Sequence, residues 1–132
     1  MRRLLYLIIL CVIFVSCKQA TKKSNDDDKP VVTVTIPPYQ YFVNQIAGDK
    51  VDVNVMVSNG NNPETYEPYA QQMVELSNSS IYFKVGNIGF EQTWMKKLQD
   101  NAPQMKIIDT SVGITPAKTP GGNIDPHTWM SC

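Results

Sequence analysis

Two short segments of this sequence carry the side chains best suited to bind a metal ion. One runs from Asn62 to Pro68 and contains Glu64, whose carboxylate directly follows a proline. The other runs from Asp125 to Trp129 and contains His127, the single histidine of the chain. Carboxylate oxygen and imidazole nitrogen are both donors that transition metals accept, and a proline stiffens each segment. Glu64 and His127 are therefore the candidate metal ligands.

Neither residue requires a metal when it is considered alone. A lone histidine in a terminal segment is usually a solvated side chain, and a loop carboxylate is ordinarily a surface charge. Two donors also bind a transition metal only weakly, because a stable site normally has four or more.

Enzymatic chemistry has little support in the sequence. A metal-dependent hydrolase built on Glu64 and His127 is one hypothesis, but an open catalytic zinc site normally uses three protein ligands. The sequence has no nucleophile elbow, no suitably placed cysteine and histidine, and no phosphate-binding glycine loop. We therefore expect that the protein is not an enzyme.

The N-terminus has the pattern of an export signal. Two arginines precede Leu4–Val15, an apolar run of about a dozen residues, which is the length of a signal peptide rather than of a membrane span. Residues 14–17 are similar to a bacterial lipobox, which predicts a signal peptide at residues 1–16 and lipid attachment at Cys17. A short anchor that is never cleaved is the alternative. The lipidated protein would be exported and membrane-anchored, facing the periplasm or the cell surface.

Residues 17–30 are predicted to form a lipidated, flexible tether, because the segment from Lys18 onward is polar, charged and free of aromatic residues. After cleavage and lipidation only Cys132 would remain, which excludes an internal disulfide and a cysteine-based zinc site. The mature chain would be slightly acidic, without a concentration of basic residues. Nucleic acid is therefore not an expected partner.

Residues 31–132 alternate between strand and helix patterns and have the size of one domain. β-Branched or alternating apolar residues predict strands at Val31–Ile36, Val51–Val57, Ile81–Val85 and Met105–Asp109. Helical spacing predicts helices at Tyr39–Ala47, at Ala70–Asn78 and in the segment where Phe90, Trp94 and Leu98 recur. In the first of these helices, one face carries Phe42, Val43, Ile46 and Ala47. The alternation predicts an α/β fold, a small and mostly parallel four-stranded sheet flanked by helices.

The order of the elements predicts that both candidate ligands lie at one edge of the sheet. Ligands of open parallel sheets bind beyond the carboxyl ends of the strands. The loop with Glu64 leaves the second predicted strand, and the segment with His127 leaves the fourth. Both side chains should therefore emerge at the same edge.

From Val32 to its end, the chain resembles the metal-binding solute-binding lipoproteins of ABC transporters, which deliver zinc or manganese to a membrane permease. The resemblance rests on separated motifs in the right order, which are Thr35–Pro38, Ile46–Val51, Thr65–Pro68, Tyr82–Gly86, Ile108–Ser111 and Asp125–Trp129. It implies a protein of two small α/β lobes joined by a long helix. The metal would lie in the cleft between the lobes, and each lobe would supply two ligands.

The resemblance places the two ligands of the first lobe at Glu64 and His127. The family usually has histidine at the first of these positions, and an oxygen donor there tilts the preference modestly towards manganese or iron. The histidine-rich loop of many zinc-specific members would fall near Thr115–Asn123 and is missing. The resemblance implies zinc, with manganese as the alternative, as a transported ligand rather than a catalytic cofactor. The implied partners are the metal ion and the permease.

The sequence ends where the connecting helix of the family would begin, so we expect residues 31–132 to be the N-terminal lobe without the second lobe. The predicted function is high-affinity metal capture and delivery to the permease, here in the form of a truncated half. One alternative is a lipid-anchored surface adhesion or interaction module without a transport role. Another is a gene fragment without function.

Overall fold

The structure, a computed structural model, describes residues 29–130. The predicted signal peptide at residues 1–16, the lipidation site Cys17 and most of the predicted tether lie outside the described residues, as does Cys132. None of the helices within residues 29–130 combines the length and the apolar character that crossing a bilayer requires.

Strands and helices alternate along the described chain. The strands are β1 (Val31–Val34), β2 (Asp52–Val55), β3 (Ser79–Lys84) and β4 (Lys106–Asp109). The α-helices are α1 (Pro37–Ala47), α2 (Ala70–Leu76) and α3 (Gly89–Asn101). Short 3-10 helices lie at Gly48–Lys50 and Thr128–Met130.

The four strands form one parallel sheet in the order β2-β1-β3-β4. β1 pairs with β2 from Val31 opposite Asp52 to Val34 opposite Val55, and its register with β3 shifts between Val31 and Val32. Two further hydrogen bonds, from the N–H groups of Met56 and Val57, continue the pairing beyond β2. The predicted α/β fold with a four-stranded parallel sheet is confirmed.

Helices cover the two faces of the sheet unequally. α1 lies on the face that carries Val32 and Phe83, where its residue Val43 lines a groove together with them. α3 lies on the opposite face, where Glu91 accepts a hydrogen bond from the Thr35 hydroxyl, and α2 contacts α3. One helix therefore covers one face, and two helices cover the other.

The larger part of the core lies beneath α2 and α3. The largest fully buried side chains are Tyr82, Phe90, Leu76, Ile88 and Leu98. Burial of this apolar surface is the main force that holds the two helices on the sheet.

The helix α1 differs from the prediction in its start and in its packing. Pro37 and Pro38, expected to lie between the strand and the helix, form the first helical turn, where a missing N–H costs no hydrogen bond. The predicted apolar face is also only partly covered: Phe42 is 45% exposed and Ile46 is 87% exposed. Tyr39 is the buried residue of this helix. The reason is that no second helix packs beside α1 in the described part of the chain.

Candidate metal-binding cleft

His127 lies in a turn that holds its imidazole ring by one nitrogen. Asp125 Oδ1 accepts a hydrogen bond from the backbone N–H of His127 at 3.0 Å and lies 2.6 Å from the ring Nδ1. An ionised carboxylate only accepts hydrogen bonds, so Nδ1 carries the proton and Nε2 remains available to a metal. The backbone N–H and then the ring of His127 lower the pKa of Asp125. Asp125 therefore selects the tautomer that a ligand at this position needs.

Two aromatic side chains, one in the second 3-10 helix and one in α1, connect the imidazole ring to the end of the sheet. The ring centroids of His127 and Trp129 are 5.1 Å apart, and Trp129 meets Tyr39 edge-on at 6.4 Å. The Tyr39 hydroxyl lies 2.7 Å from that of Thr110, which joins α1 to the end of β4. Burial raises the pKa of Tyr39, so this phenol stays neutral at physiological pH. The ring is thus held to the carboxyl edge of the sheet through two other aromatic rings.

His127 lines two open cavities. The smaller has a volume of about 220 Å³, and its other walls are Ile36–Pro38, residues 57–61, Pro63 and Trp129. The larger has a volume of about 420 Å³, and its other walls are residues 114–117, Asp125, Thr128 and Met130. Since the His127 side chain is 56% exposed, a metal ion can reach it from solvent.

Glu64 lies in the loop between β2 and α2, which contacts the start of α3. The backbone N–H of Glu64 donates to Asn62 Oδ1 at 2.9 Å, and its Oε2 accepts from the N–H of Gly89 at 2.9 Å. The Pro63 carbonyl accepts from the N–H of Phe90 at 3.0 Å. The first N–H groups of a helix have no partner within the helix, and a negative charge is favourable there. Glu64 and Pro63 therefore cap α3.

The close approach of this loop depends on the absence of a side chain at Gly89. A Cβ atom at Gly89 would lie 2.6 Å from the Glu64 carbonyl oxygen and 2.7 Å from Glu64 Oε2. Both distances are too short for non-bonded contact. Any larger residue would therefore push the loop away from the helix.

The structure places Glu64 and His127 at the same edge of the sheet but does not bring them into one cavity. Pro63 lines the smaller cavity with His127, whereas the carboxylate of Glu64 is bonded to the start of α3. Within residues 29–130 there is no group of three or more histidine, cysteine, aspartate or glutamate side chains that could hold a metal ion. This part of the chain supplies an incomplete set of such donors.

A buried carboxylate that the sequence analysis missed shapes the same edge. Glu91 is 3% exposed, and it accepts hydrogen bonds from the N–H groups of Val85 at 2.7 Å and Gly86 at 2.8 Å and from the Thr35 hydroxyl. Such hydrogen bonds replace the water that a buried charge loses. Glu91 fixes the turn from β3 to α3. A glutamate near a helix start is ordinarily a solvated cap, so no sequence signal marks it.

An ion pair and a close backbone contact join the ends of β3 and β4. Lys84 Nζ lies 2.9 Å from Asp109 Oδ2, and Asp109 Oδ1 accepts from the N–H and the hydroxyl of Ser111. Partial burial acts to raise the pKa of Asp109, but Ser111 and Lys84 together lower it. A Cβ atom at Gly86 would overlap the Ser111 hydroxyl, so this turn needs glycine.

Two asparagines near His127 were also missed. Asn59 and Asn61 line the smaller cavity with His127, and Asn61 Nδ2 donates to the Ser58 carbonyl at 3.2 Å. Amide oxygens are donors that manganese accepts more readily than zinc does. The Asn-Gly-Asn-Asn run, one residue after the predicted strand Val51–Val57, was the signal that marked this loop.

Comparison with known proteins shows the family. Residues 32–132 match the family described as zinc-uptake complex component A, periplasmic. The chain belongs to this family of metal-binding ABC-transporter substrate-binding proteins, as the resemblance of its motifs predicted.

Curated relatives carry different metals in their names. The iron ABC transporter substrate-binding lipoprotein MtsA of Streptococcus pyogenes serotype M1 is 33% identical over 129 residues. The manganese ABC transporter substrate-binding lipoprotein PsaA of Streptococcus pneumoniae serotype 4 is 30% identical over 138 residues. The zinc-binding lipoprotein AdcA of the same organism is 29% identical over 144 residues. These matches cover 90%, 97% and 96% of this chain but 41%, 44% and 28% of the relatives.

Solved structures show the same fold over the same part of their length. A crystal structure of ZnuA has 46% identity and a TM-score of 0.72, with 79% of this chain and 40% of that chain covered. A manganese-bound periplasmic metal-binding protein from Candidatus Liberibacter asiaticus has 28% identity and a TM-score of 0.68, with 78% and 39% covered. The chain therefore spans less than half the length of the relatives that it matches.

Proposed function

We propose that this chain provides the first lobe of a metal-uptake binding protein, which captures zinc, or alternatively manganese, and delivers it to an ABC-transporter permease. The observation that carries the proposal is the state of His127. Asp125 holds its Nδ1, and Nε2 is left to bind a metal beside an open cavity at the carboxyl edge of the sheet. The zinc, manganese and iron names of the relatives support the same class of cargo.

His127 and Glu64 are the two ligands that we assign to this lobe. Glu64 Oε2 is already bonded to Gly89, but a carboxylate has two oxygens and its Oε1 can accept a metal. The loop must still shift, because only its neighbour Pro63 lines the cavity beside His127. The metal and the helix start compete for one carboxylate, so Glu64 should contribute less to affinity than His127.

The remaining ligands would come from a second lobe. A stable transition-metal site normally has four or more donors, and this lobe offers two. The relatives are more than twice as long as the part of them that this chain matches, which leaves room for such a lobe. An oxygen and a nitrogen donor without cysteine suit both zinc and manganese.

Export and anchoring complete the proposal. The signal peptide at residues 1–16 would be removed, and a lipid on Cys17 would hold the tether of residues 17–30 at the membrane, in the periplasm or on the cell surface. The lipoprotein names of the relatives support this location. Those names are of binding or transport proteins, which supports a role without catalysis and does not favour an adhesion module.

Metal titration by calorimetry tests the two ligands. Zinc and, separately, manganese are titrated into the chain from Lys18 to Cys132. Because this lobe offers two donors, we expect weak binding, and His127→Ala should remove most of it, since Glu64 is then the one assigned donor that remains. Glu64→Gln should reduce the affinity by roughly tenfold or less, since this carboxylate is shared with the start of α3.

The matched control is Glu67→Gln, which removes another exposed carboxylate of the same loop and should leave the affinity unchanged. Weak binding that is the same with and without His127 would contradict the assignment. A larger loss with Glu67→Gln than with Glu64→Gln would transfer the second ligand to Glu67.

A further inference from the structure

A single turn in the loop after β2 supplies the oxygen donors of the smaller cavity beside His127. The side chains in this cavity that carry oxygen are Ser58, Asn59 and Asn61. Among the described residues that line it, none is an aspartate, a glutamate, a lysine or an arginine. A metal ion bound to His127 from this side would therefore meet neutral oxygen atoms.

The backbone of this turn is held in place without a metal. The N–H of Asn61 donates to the Ser58 carbonyl at 3.2 Å, which closes a turn of four residues. Gly60, the third residue of the turn, has a φ of 86°, a conformation that glycine adopts without steric cost. The turn therefore presents Asn61 at the wall of the cavity.

The side-chain amide of Asn61 has a defined orientation. Its Nδ2 donates to the carbonyl oxygen and to the hydroxyl oxygen of Ser58, each at 3.2 Å. These bonds use both donors of the amide nitrogen, and no group in residues 29–130 donates to the amide oxygen Oδ1. The amide is thus held by its nitrogen and its oxygen is left free. The ring of His127 is held in the same way, by Nδ1 with Nε2 left free.

Asn61 is better placed for this cavity than Glu64. The Glu64 carboxylate is bonded to the N–H of Gly89, and Glu64 is not one of the residues that line the cavity. Its loop must shift before it can reach a metal beside His127. Asn61 lines the cavity without such a shift.

We propose that Asn61 Oδ1 is a further donor to the metal that His127 binds, and that it favours manganese over zinc. The proposal rests on the metal-uptake function proposed above and deepens it by naming the preferred cargo. Carbonyl and carboxylate oxygens suit manganese, whereas imidazole nitrogen suits zinc. With Asn61 and Glu64, this lobe offers two oxygen donors and one nitrogen donor.

Manganese titration of the full chain in detergent micelles tests the role of Asn61. The EPR signal of free Mn²⁺ measures how much manganese is bound, and zinc chloride added in competition gives the zinc affinity. We expect Asn61→Ala to lower the manganese affinity by roughly threefold to tenfold, because one oxygen donor is lost. The zinc affinity should fall less, so the ratio of manganese affinity to zinc affinity should decrease.

Asn61→Asp distinguishes a metal donor from a residue that only holds the turn. A carboxylate cannot donate to the Ser58 carbonyl, so aspartate and alanine both lose that side-chain hydrogen bond. Aspartate still offers an oxygen to the cavity and adds a negative charge. We therefore expect Asn61→Asp to bind manganese at least as tightly as the unsubstituted chain. If Asn61 only held the turn, the aspartate variant would bind as weakly as the alanine variant.

Two asparagines provide matched controls. Asn123 is exposed and lines neither of the cavities beside His127, so Asn123→Ala should leave both affinities unchanged. Asn59 lines the same cavity as Asn61, and Asn59→Ala should have a smaller effect than Asn61→Ala. An equal or larger loss of manganese affinity with Asn59→Ala would overturn the assignment to Asn61.

Two further outcomes would overturn the inference. One is an unchanged affinity ratio in Asn61→Ala, and the other is an equal loss in Asn61→Ala and Asn61→Asp. If His127→Ala removes manganese binding while Asn61→Ala has no effect, the proposed function stands and the role of Asn61 is wrong. Manganese binding that is absent, or that does not depend on His127, would contradict both.

Discussion

The two loops that carry the candidate ligands leave the same edge of the sheet but hold their side chains in opposite ways. In the segment after β4, Asp125 binds one nitrogen of His127 and leaves the other free. In the loop after β2, the carboxylate of Glu64 is itself bonded to the N–H of Gly89. The partner of His127 is two residues away, whereas the partner of Glu64 belongs to another element. The contact of His127 leaves its other ring nitrogen free, whereas the contact of Glu64 caps the start of α3.

Among the changes that test this comparison, removal of the Asp125 carboxylate, the local partner of His127, should have the largest effect. We expect Asp125→Asn to reduce metal affinity by about tenfold to a hundredfold, because the amide no longer fixes the tautomer of His127. Calorimetric titration of both chains measures the change. In the His127→Ala background the same substitution should have no further effect. An equal loss in both backgrounds would mean that Asp125 acts independently of the ring.

A side chain added at position 89 should break the contact between the start of α3 and the loop that carries Glu64. Gly89→Ala puts a Cβ atom against the carbonyl and the carboxylate of Glu64, so we expect the free energy of unfolding to fall by about 1–3 kcal/mol. Urea denaturation measures this loss. Gly121→Ala is the matched control, because its Cβ would meet no atom closer than 4.0 Å. Equal stabilities for the two variants would show that the cap on α3 contributes little.

The smallest expected effect concerns the pH at which the Asp125 carboxylate takes up a proton and so loses its restraint on the His127 ring. The pKa of this carboxyl is lowered by the backbone N–H of His127 and then by its ring. The carboxylate therefore remains ionised as the pH falls past the ordinary aspartate pKa of about 4. A carboxyl whose pKa is lowered in the folded state stabilises the fold at pH values above its unfolded-state pKa. This contribution is lost as the pH falls through the lowered, folded-state pKa.

Carbon-13 NMR titration of the Asp125 carboxyl measures this value directly. His127→Ala should raise the midpoint only slightly, since the backbone N–H of residue 127 remains in place. A midpoint at or above the ordinary aspartate value in the unsubstituted chain would contradict the proposed restraint of the ring.

The fold was predictable because its signals are local. Alternating valines at Val51–Val57, β-branched residues at Val31–Ile36 and the stop at Gly86 mark the strands without information from the rest of the chain. The error at α1 was also local. Pro37 and Pro38 can end a strand or begin a helix, and the sequence does not distinguish the two.

The contacts of the site were less predictable because they join distant segments. His127 and Asp125 lie within one motif, so their proximity was evident from the sequence. The hydrogen bond from Gly89 to Glu64 spans 25 residues. Nothing near Glu91 indicated that it would be buried. The exposure of Ile46 depends on which elements share its face of the sheet, and helical spacing carries no such information.

The central position of β1 has a consequence for the order in which the chain can fold. This strand comes first in the described chain, yet it lies between β2 and β3 and pairs with both. Its second neighbour begins only at Ser79, so most of the domain must be present before β1 is flanked on both sides. Non-local pairing of this kind slows folding. Until Ser79–Lys84 arrives, the valine-rich β1 keeps one side unpaired, and it is there that a nascent or partly unfolded chain is most open to mispairing.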